Sequence, residues 1–289
     1  MEFFIEIIKT ILLGVVEGIT EWLPISSTGH MILLNDVLRL GVSDAFWEMF
    51  EVVIQLGAIL AVVVLYFKKL WPFAKQANIE SGNTLLSLGG VGLKKNTMTL
   101  WAKVIVAVLP AAIIGIPLDD WFDAHFYNSV VVAIALIVYG VLFIVVERAH
   151  RGKTFAVESV DDISFKTALG IGAFQVLSLV PGTSRSGSTI LGASTLSVSR
   201  GAAAEFSFFL AIPVMLGASL LKVLKFFLEG GSFGGSEAIL LLVGCAAAFL
   251  VSIVAIRFLT DFVKKHSFSA FGVYRILLGA IVLLVYFVK

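Results

Sequence analysis

Six runs of roughly 20 predominantly apolar residues, at about 49–67, 101–118, 129–147, 204–227, 238–257 and 269–288, occupy much of this 289-residue chain. Each is long enough to cross the roughly 30 Å hydrocarbon core of a bilayer as a helix, which satisfies all its backbone groups internally. Charged residues make up only 14%, against about 25% in soluble domains. The sequence therefore predicts an all-α polytopic membrane protein, with 1–289 a single integral membrane domain. A net charge of +1 leaves no nucleic-acid footprint. The lone Cys245 lies in an apolar run and has no intrachain disulfide partner. The start, Met1-Glu2-Phe3 with Glu6 following, lacks a basic region and a small-residue cleavage site, so no cleaved signal peptide is expected.

Two further apolar regions are interrupted. The run over 3–40 stops at Pro24-Ile25-Ser26-Ser27-Thr28-Gly29-His30, and the run over 164–198 stops at Pro181-Gly182-Thr183-Ser184-Arg185-Ser186-Gly187. Each half is too short to cross, and proline and glycine break the helix, so a re-entrant helix–loop–helix pair is expected at each place. Lys and Arg concentrate in 68–103, 148–166 and 258–267, which marks these loops as cytoplasmic. The 119–128 segment carries Asp119, Asp120, Asp123 and His125 without Lys or Arg, and 228–237 also has neither; both read as outer loops. Lys222 and Lys225 near an outer helix end are minor exceptions. Both termini are then expected outside the cytoplasmic membrane.

The two interruptions align without gaps at an offset of 158, Gly14 meeting Gly172. Glu17 then meets Gln175, Thr20 meets Ser178, Ser26 meets Ser184, Thr28 meets Ser186 and Gly29 meets Gly187. Three spans follow each motif, so the second copy enters from the opposite side. This predicts an inverted-topology repeat, 1–148 and 159–289, whose broken helices meet near the midplane.

The chemistry-bearing residues lie in these interruptions. Glu17 and Glu21 are four apart and share a helix face. Two neighbouring carboxylates at membrane depth need a cation, a proton or an arginine, so they are candidate metal ligands or acid–base groups. Ser26, Ser27 and Thr28 can cap a helix, but one hydroxyl suffices for that. His30 stands three residues after Ser27 on the same face, so either a Ser–His pair activates the hydroxyl or His30 itself attacks or handles the proton. Arg185, flanked by Ser184 and Ser186 with glycines and Thr189 nearby, has the planar fork and helix start that suit phosphate oxygens. Carboxylates plus phosphate oxygens suit Mg²⁺ or Ca²⁺. Glu51 and Gln55 are either neighbours of this site or solvated helix-end residues.

Glu17-Gly18-Ile19-Thr20-Glu21 followed by Leu23-Pro24-Ile25-Ser26-Ser27-Thr28-Gly29-His30 resembles the first signature of bacterial undecaprenyl-diphosphatases of the bacitracin-resistance type. Pro181 through Thr189 resembles their second, and the stretches Phe50–Gly57 and Ala204–Pro213 also fit. The resemblance covers essentially the whole chain, least clearly 70–100. It implies an inner-membrane hydrolase, dependent on Mg²⁺ or Ca²⁺, that converts undecaprenyl diphosphate to undecaprenyl phosphate and inorganic phosphate and so recycles the cell-wall carrier lipid. Glu17 and Glu21 would serve metal or acid–base roles, Ser27 and His30 nucleophilic or proton-handling ones. Arg185 would hold the diphosphate, with Ser26, Thr28, Ser184, Ser186 and Thr189 assisting, in a site opening outward. The expected partners are a polyprenyl diphosphate lipid and the bilayer, with a homodimer as a candidate assembly. The rival readings are an inverted-repeat transporter or flippase for a phosphorylated lipid and, for Ser27 and His30, an intramembrane protease.

Overall fold

The computed structural model describes residues 1–80 and 82–288, with their side chains except those of Asn35, Asp36, Val37 and Asp123. The expectation for Asp123 thus concerns a side chain outside the described ones. Six segments are long and apolar enough to span a membrane: Asp44–Leu65, Lys95–Phe122, Ser129–Ala149, Arg200–Leu228, Gly235–Lys265 and Ser269–Val288. All six expected runs fall on them. The first is two helices, α3 (Asp44–Val53) and α4 (Gln55–Leu65), joined at Ile54, and a short α5 (Phe67–Leu70) follows. The others are α6 (Lys95–Phe126), α7 (Ser129–Ala149), α10 (Arg200–Leu228), α11 (Gly235–Lys265) and α12 (Ser269–Val288). The chain is a multi-pass, all-α membrane protein with a small three-stranded sheet between α5 and α6.

Two helical hairpins complete it, α1 (Glu2–Thr20) with α2 (Ser27–Leu38), and α8 (Phe165–Gln175) with α9 (Arg185–Thr195). At 19 residues, α1 is longer than half a pass. Its apolar stretch is short because Glu2, Glu6, Lys9 and Glu17 interrupt it. The open end of the first hairpin is tied: Lys9 pairs with Glu6 at 2.8 Å and donates to the Arg39 carbonyl at 2.8 Å, while Gly41 N–H donates to Glu6 at 2.9 Å. The second is closed likewise, Ala156 N–H donating to the Ser197 carbonyl at 3.0 Å and Ser199 N–H to the Val157 carbonyl at 2.8 Å. At 1.5 Å per residue the 12 residues of α2 reach about 18 Å, short of the hydrocarbon thickness.

Small residues let the helices approach backbone to backbone. A Cβ on Gly14 of α1 would lie 2.6 Å from the Gly244 carbonyl of α11, and one on Gly172 of α8 would lie 2.3 Å from the Ala107 carbonyl of α6. Each hairpin's first helix thus packs on the second span of the other half of the chain, α1 on α11 and α8 on α6. Between α7 and α12, Gly140 and Gly272 face each other's carbonyls.

Acid–base pairs gather at both ends of the bundle. At one end Arg200 chelates Glu147, and Lys69 pairs with Glu205 at 3.0 Å and with Asp161 at 3.8 Å. At the other, Lys225 pairs with Asp119 at 2.6 Å and Asp120 at 2.8 Å, which gives one of the two lysines that depart from the loop-charge pattern its partners. Asp119 and Asp120 belong to the last turns of α6 rather than to a loop.

Candidate active site

After Thr20 the chain leaves helix, runs through Pro24, and restarts at Ser27. Ser26 caps the new helix in a left-handed conformation, φ 71°, its hydroxyl accepting from Gly29 N–H at 3.4 Å. Ser184 repeats this at the second break, with φ 70° and Gly187 N–H donating to its hydroxyl at 3.1 Å. Positive φ is costly for a non-glycine residue, and here it turns the chain at both breaks so that two helix starts, α2 and α9, face a common interior. Helix starts carry unpaired N–H groups and the positive end of the dipole, an anion-binding arrangement.

The two breaks touch. Arg185 donates to Glu21 Oε1 at 2.9 Å, and Ser186 donates to the backbone carbonyl of Glu21 at 3.0 Å. The other oxygen of Glu21 accepts from the Ser27 hydroxyl at 2.9 Å. Arg185 also donates to the carbonyl of Ser207 on α10 at 2.8 Å and lies over the Trp22 ring at 5.7 Å. Thr189 shares a 2.7 Å hydrogen bond with the Ser207 hydroxyl. Glu21, Arg185 and Ser27 thus form one chain of contacts, with both side chains of the ion pair under a tenth exposed. Glu17 lies one turn earlier, buried, with Oε1 unpartnered, and is within electrostatic reach of Glu21, Glu51 and Arg185. Tyr127 donates to Glu51 at 2.8 Å.

Other expected contacts are absent. Ser27 does not bond His30. The His30 Nδ1 faces the Ser26 carbonyl at 2.8 Å, an acceptor only, so Nδ1 carries the proton. In the neutral ring Nε2 then accepts from the Tyr274 hydroxyl at 2.7 Å. The Ser26 kink explains this: it swings Ser27 back toward the end of α1 and His30 toward α12. Thr28 is half-buried and has no side-chain hydrogen bond among the described residues. Beside the cluster, α1, the start of α2 and α12 border an apolar groove of about 510 Å³, with Leu23, Ile25 and Phe271 in its wall and His30 and Tyr274 as polar members.

Sequence reasoning missed Arg275. Fully buried on α12, it donates to the carbonyls of Pro24 at 3.1 Å, Gly182 at 2.7 Å and Thr183 at 3.0 Å, tying both breaks together. An arginine inside an expected span was the available signal. Arg275→Met fills similar volume but leaves these carbonyls without their donor, each worth about 1–3 kcal/mol when buried. Its expected result is a lowered unfolding temperature together with about a 10²-fold fall in kcat from misplaced breaks, measured by thermal scans and turnover on the same detergent-purified sample.

Fold and site together define an integral membrane protein whose interior joins a carboxylate, a hydroxyl and a guanidinium across two broken helices. Residues 10–281 match the family described as bacitracin resistance protein BacA, and the chain belongs to that family. It is 56% identical over 280 residues to the undecaprenyl-diphosphatase of Acetivibrio thermocellus, covering 97% of each chain. It is 54% identical over 280 residues to that of Enterococcus faecalis, and 57% identical over 282 residues to that of Lactococcus lactis subsp. lactis, again covering 97% of each.

Proposed function

We propose that the protein hydrolyses undecaprenyl diphosphate to undecaprenyl phosphate and inorganic phosphate, returning a cell-wall carrier lipid to use and conferring resistance to bacitracin. The observation that carries this is the contact chain Ser27–Glu21–Arg185, in which a hydroxyl and an anion-binding fork each lie within hydrogen-bond distance of the carboxylate between them.

The Ser27 hydroxyl attacks the terminal phosphorus as its proton passes to Glu21 Oε2. A Ser27 O–P bond forms, the bridging P–O bond breaks, and undecaprenyl phosphate leaves with the bridging oxygen. Glu21 hands that proton to the leaving undecaprenyl phosphate and is again a carboxylate. It then takes a proton from water, whose oxygen attacks the phosphoserine phosphorus, and returns that proton to the Ser27 oxygen as the Ser27 O–P bond breaks and inorganic phosphate is released. Arg185 and the starts of α2 and α9 hold the charge that develops on the phosphoryl oxygens. His30, with its ring fixed by Ser26 and Tyr274, orients the Ser26–Ser27 turn. The prenyl units nearest the diphosphate lie in the groove between α1 and α12.

A divalent cation fits in one way. The described residues include no group of three or more His, Cys, Asp or Glu side chains that would hold a metal, and the oxygens of Glu21 already face Arg185 and Ser27. Glu17 has a buried, unpartnered oxygen. Glu17, with Glu21 beside it, would hold Mg²⁺ or Ca²⁺ only with diphosphate oxygens completing the shell, as is usual for Mg²⁺. When bound, the ion would neutralise charge on the leaving phosphate.

The hairpins are read as re-entrant and the halves as an inverted repeat, supported by matched serine caps, tied open ends and reciprocal packing on α11 and α6. Both termini and the opening of the site are inferred to lie outside, following the lysines and arginines of the loops. The test is inorganic phosphate release from undecaprenyl diphosphate by the purified protein in detergent, with Mg²⁺ or Ca²⁺ and then with EDTA. Release that EDTA abolishes and added cation restores is expected. No release under either condition, from folded protein, would overturn the reading in favour of lipid transport.

A further inference from the structure

The segment joining α5 to α6 forms three antiparallel strands, β1 (Phe73–Lys75), β2 (Thr84–Leu88) and β3 (Val91–Lys94), in the order β1-β3-β2. Phe73 pairs with Leu93 and Leu93 with Leu86; Lys75 pairs with Val91 and Val91 with Leu88. Directly paired residues share a face, so one face presents Phe73, Leu86, Leu88, Val91 and Leu93 with a single lysine. The opposite face holds Ala74, Ser87 and Gly92 and is covered by Gln76 and Ile79, whose atoms lie 2.4 and 2.5 Å from where a Cβ on Gly92 would stand. Among the described residues none covers the apolar face: Leu88 is 83% exposed and Leu86 65%. A water-facing domain rarely leaves such a patch open.

Two observations say what covers it. First, the face is continuous with the lipid-facing surface. An exposed aromatic ladder runs from Phe67 at the span's end through Trp71, with ring centroids 5.4 Å apart, to Phe73 at 5.7 Å, and β3 passes directly into α6. Tryptophan is favoured at that depth. Second, residues 68–95 hold five lysines and one acid, Glu80. Lys69 is taken by Glu205 and Asp161, while Lys68, Lys75 and Lys95 are exposed. We propose that this sheet is an interfacial anchor, its apolar face set into the boundary of headgroups and acyl chains and its lysines binding anionic phospholipid headgroups. This is independent of the hydrolysis reading.

The test uses the full chain with Cys245→Ala, carrying Leu88→Cys or, on the opposite face, Ser87→Cys, each nitroxide-labelled and reconstituted in vesicles of phosphatidylcholine alone or mixed equally with phosphatidylglycerol. Unfolding temperature and elution volume at the parent values verify folding. The Leu88 label is expected to be reached by oxygen and shielded from a water-soluble nickel chelate, the Ser87 label the reverse, and the contrast to grow with phosphatidylglycerol. Equal nickel access at both positions would overturn the anchor. So would spin–spin broadening at Leu88 that disappears on dilution with unlabelled protein, since a second copy would then cover the face. A Leu88 signal indifferent to phosphatidylglycerol would overturn the headgroup assignment.

Discussion

Arg185→Ala is expected to reduce phosphate release by about 10³- to 10⁵-fold, the range that loss of a charge-stabilising arginine costs in phosphoryl transfer. The guanidinium does two things. It gives Glu21 a buried counter-charge at 2.9 Å, and it is aimed by the Ser207 carbonyl at 2.8 Å and the Trp22 ring. With Arg185 removed, Glu21 and Glu17 stand together in a buried site without a cation, and the Ser27 base loses its alignment. Arg185→Lys keeps the charge but not the planar fork, so it should restore only part of the rate. Unfolding temperature and elution volume must stay near wild type for the comparison to hold. Turnover of Arg185→Ala within about tenfold of wild type, below the cost expected of such a residue, would remove Arg185 from the mechanism.

Local properties of the sequence were legible. Hydropathy over 20 residues located all six spans, and Pro24 and Pro181 located both breaks. The Glu17–Glu21 spacing and Arg185 in its serine and glycine setting pointed to the residues that meet in the interior. What depended on the path of the chain was not legible. The partner of Ser27 is Glu21 rather than His30 because Ser26 adopts φ 71°, a backbone state that a run of serines does not announce. Ser207 and Arg275 reach the site from α10 and α12, far away in sequence. The bend at Ile54 interrupts a run that reads as one helix. The sheet is built of strands of three to five residues, which leave a weak periodic signal.

Glu21→Gln is expected to cost about 10³-fold, within the range for loss of a general base, and Ser27→Ala a similar factor. Glutamine has the size of glutamate but can present only one acceptor, and its amide then faces either the Arg185 donor or the Ser27 hydroxyl where carboxylate oxygens accept at 2.9 Å from each. The decisive measurement is the double variant, read as kcat on a shared preparation. If Glu21 acts through Ser27, removing both costs little more than removing either, because residues that work as a unit are strongly non-additive. If the two losses multiply, Glu21 serves a separate task, such as holding the cation with Glu17, and the hydroxyl is activated elsewhere. Varying the metal concentration separates these outcomes: a ligand role predicts that excess Mg²⁺ or Ca²⁺ partly rescues Glu21→Gln, whereas a base role predicts no rescue at any concentration.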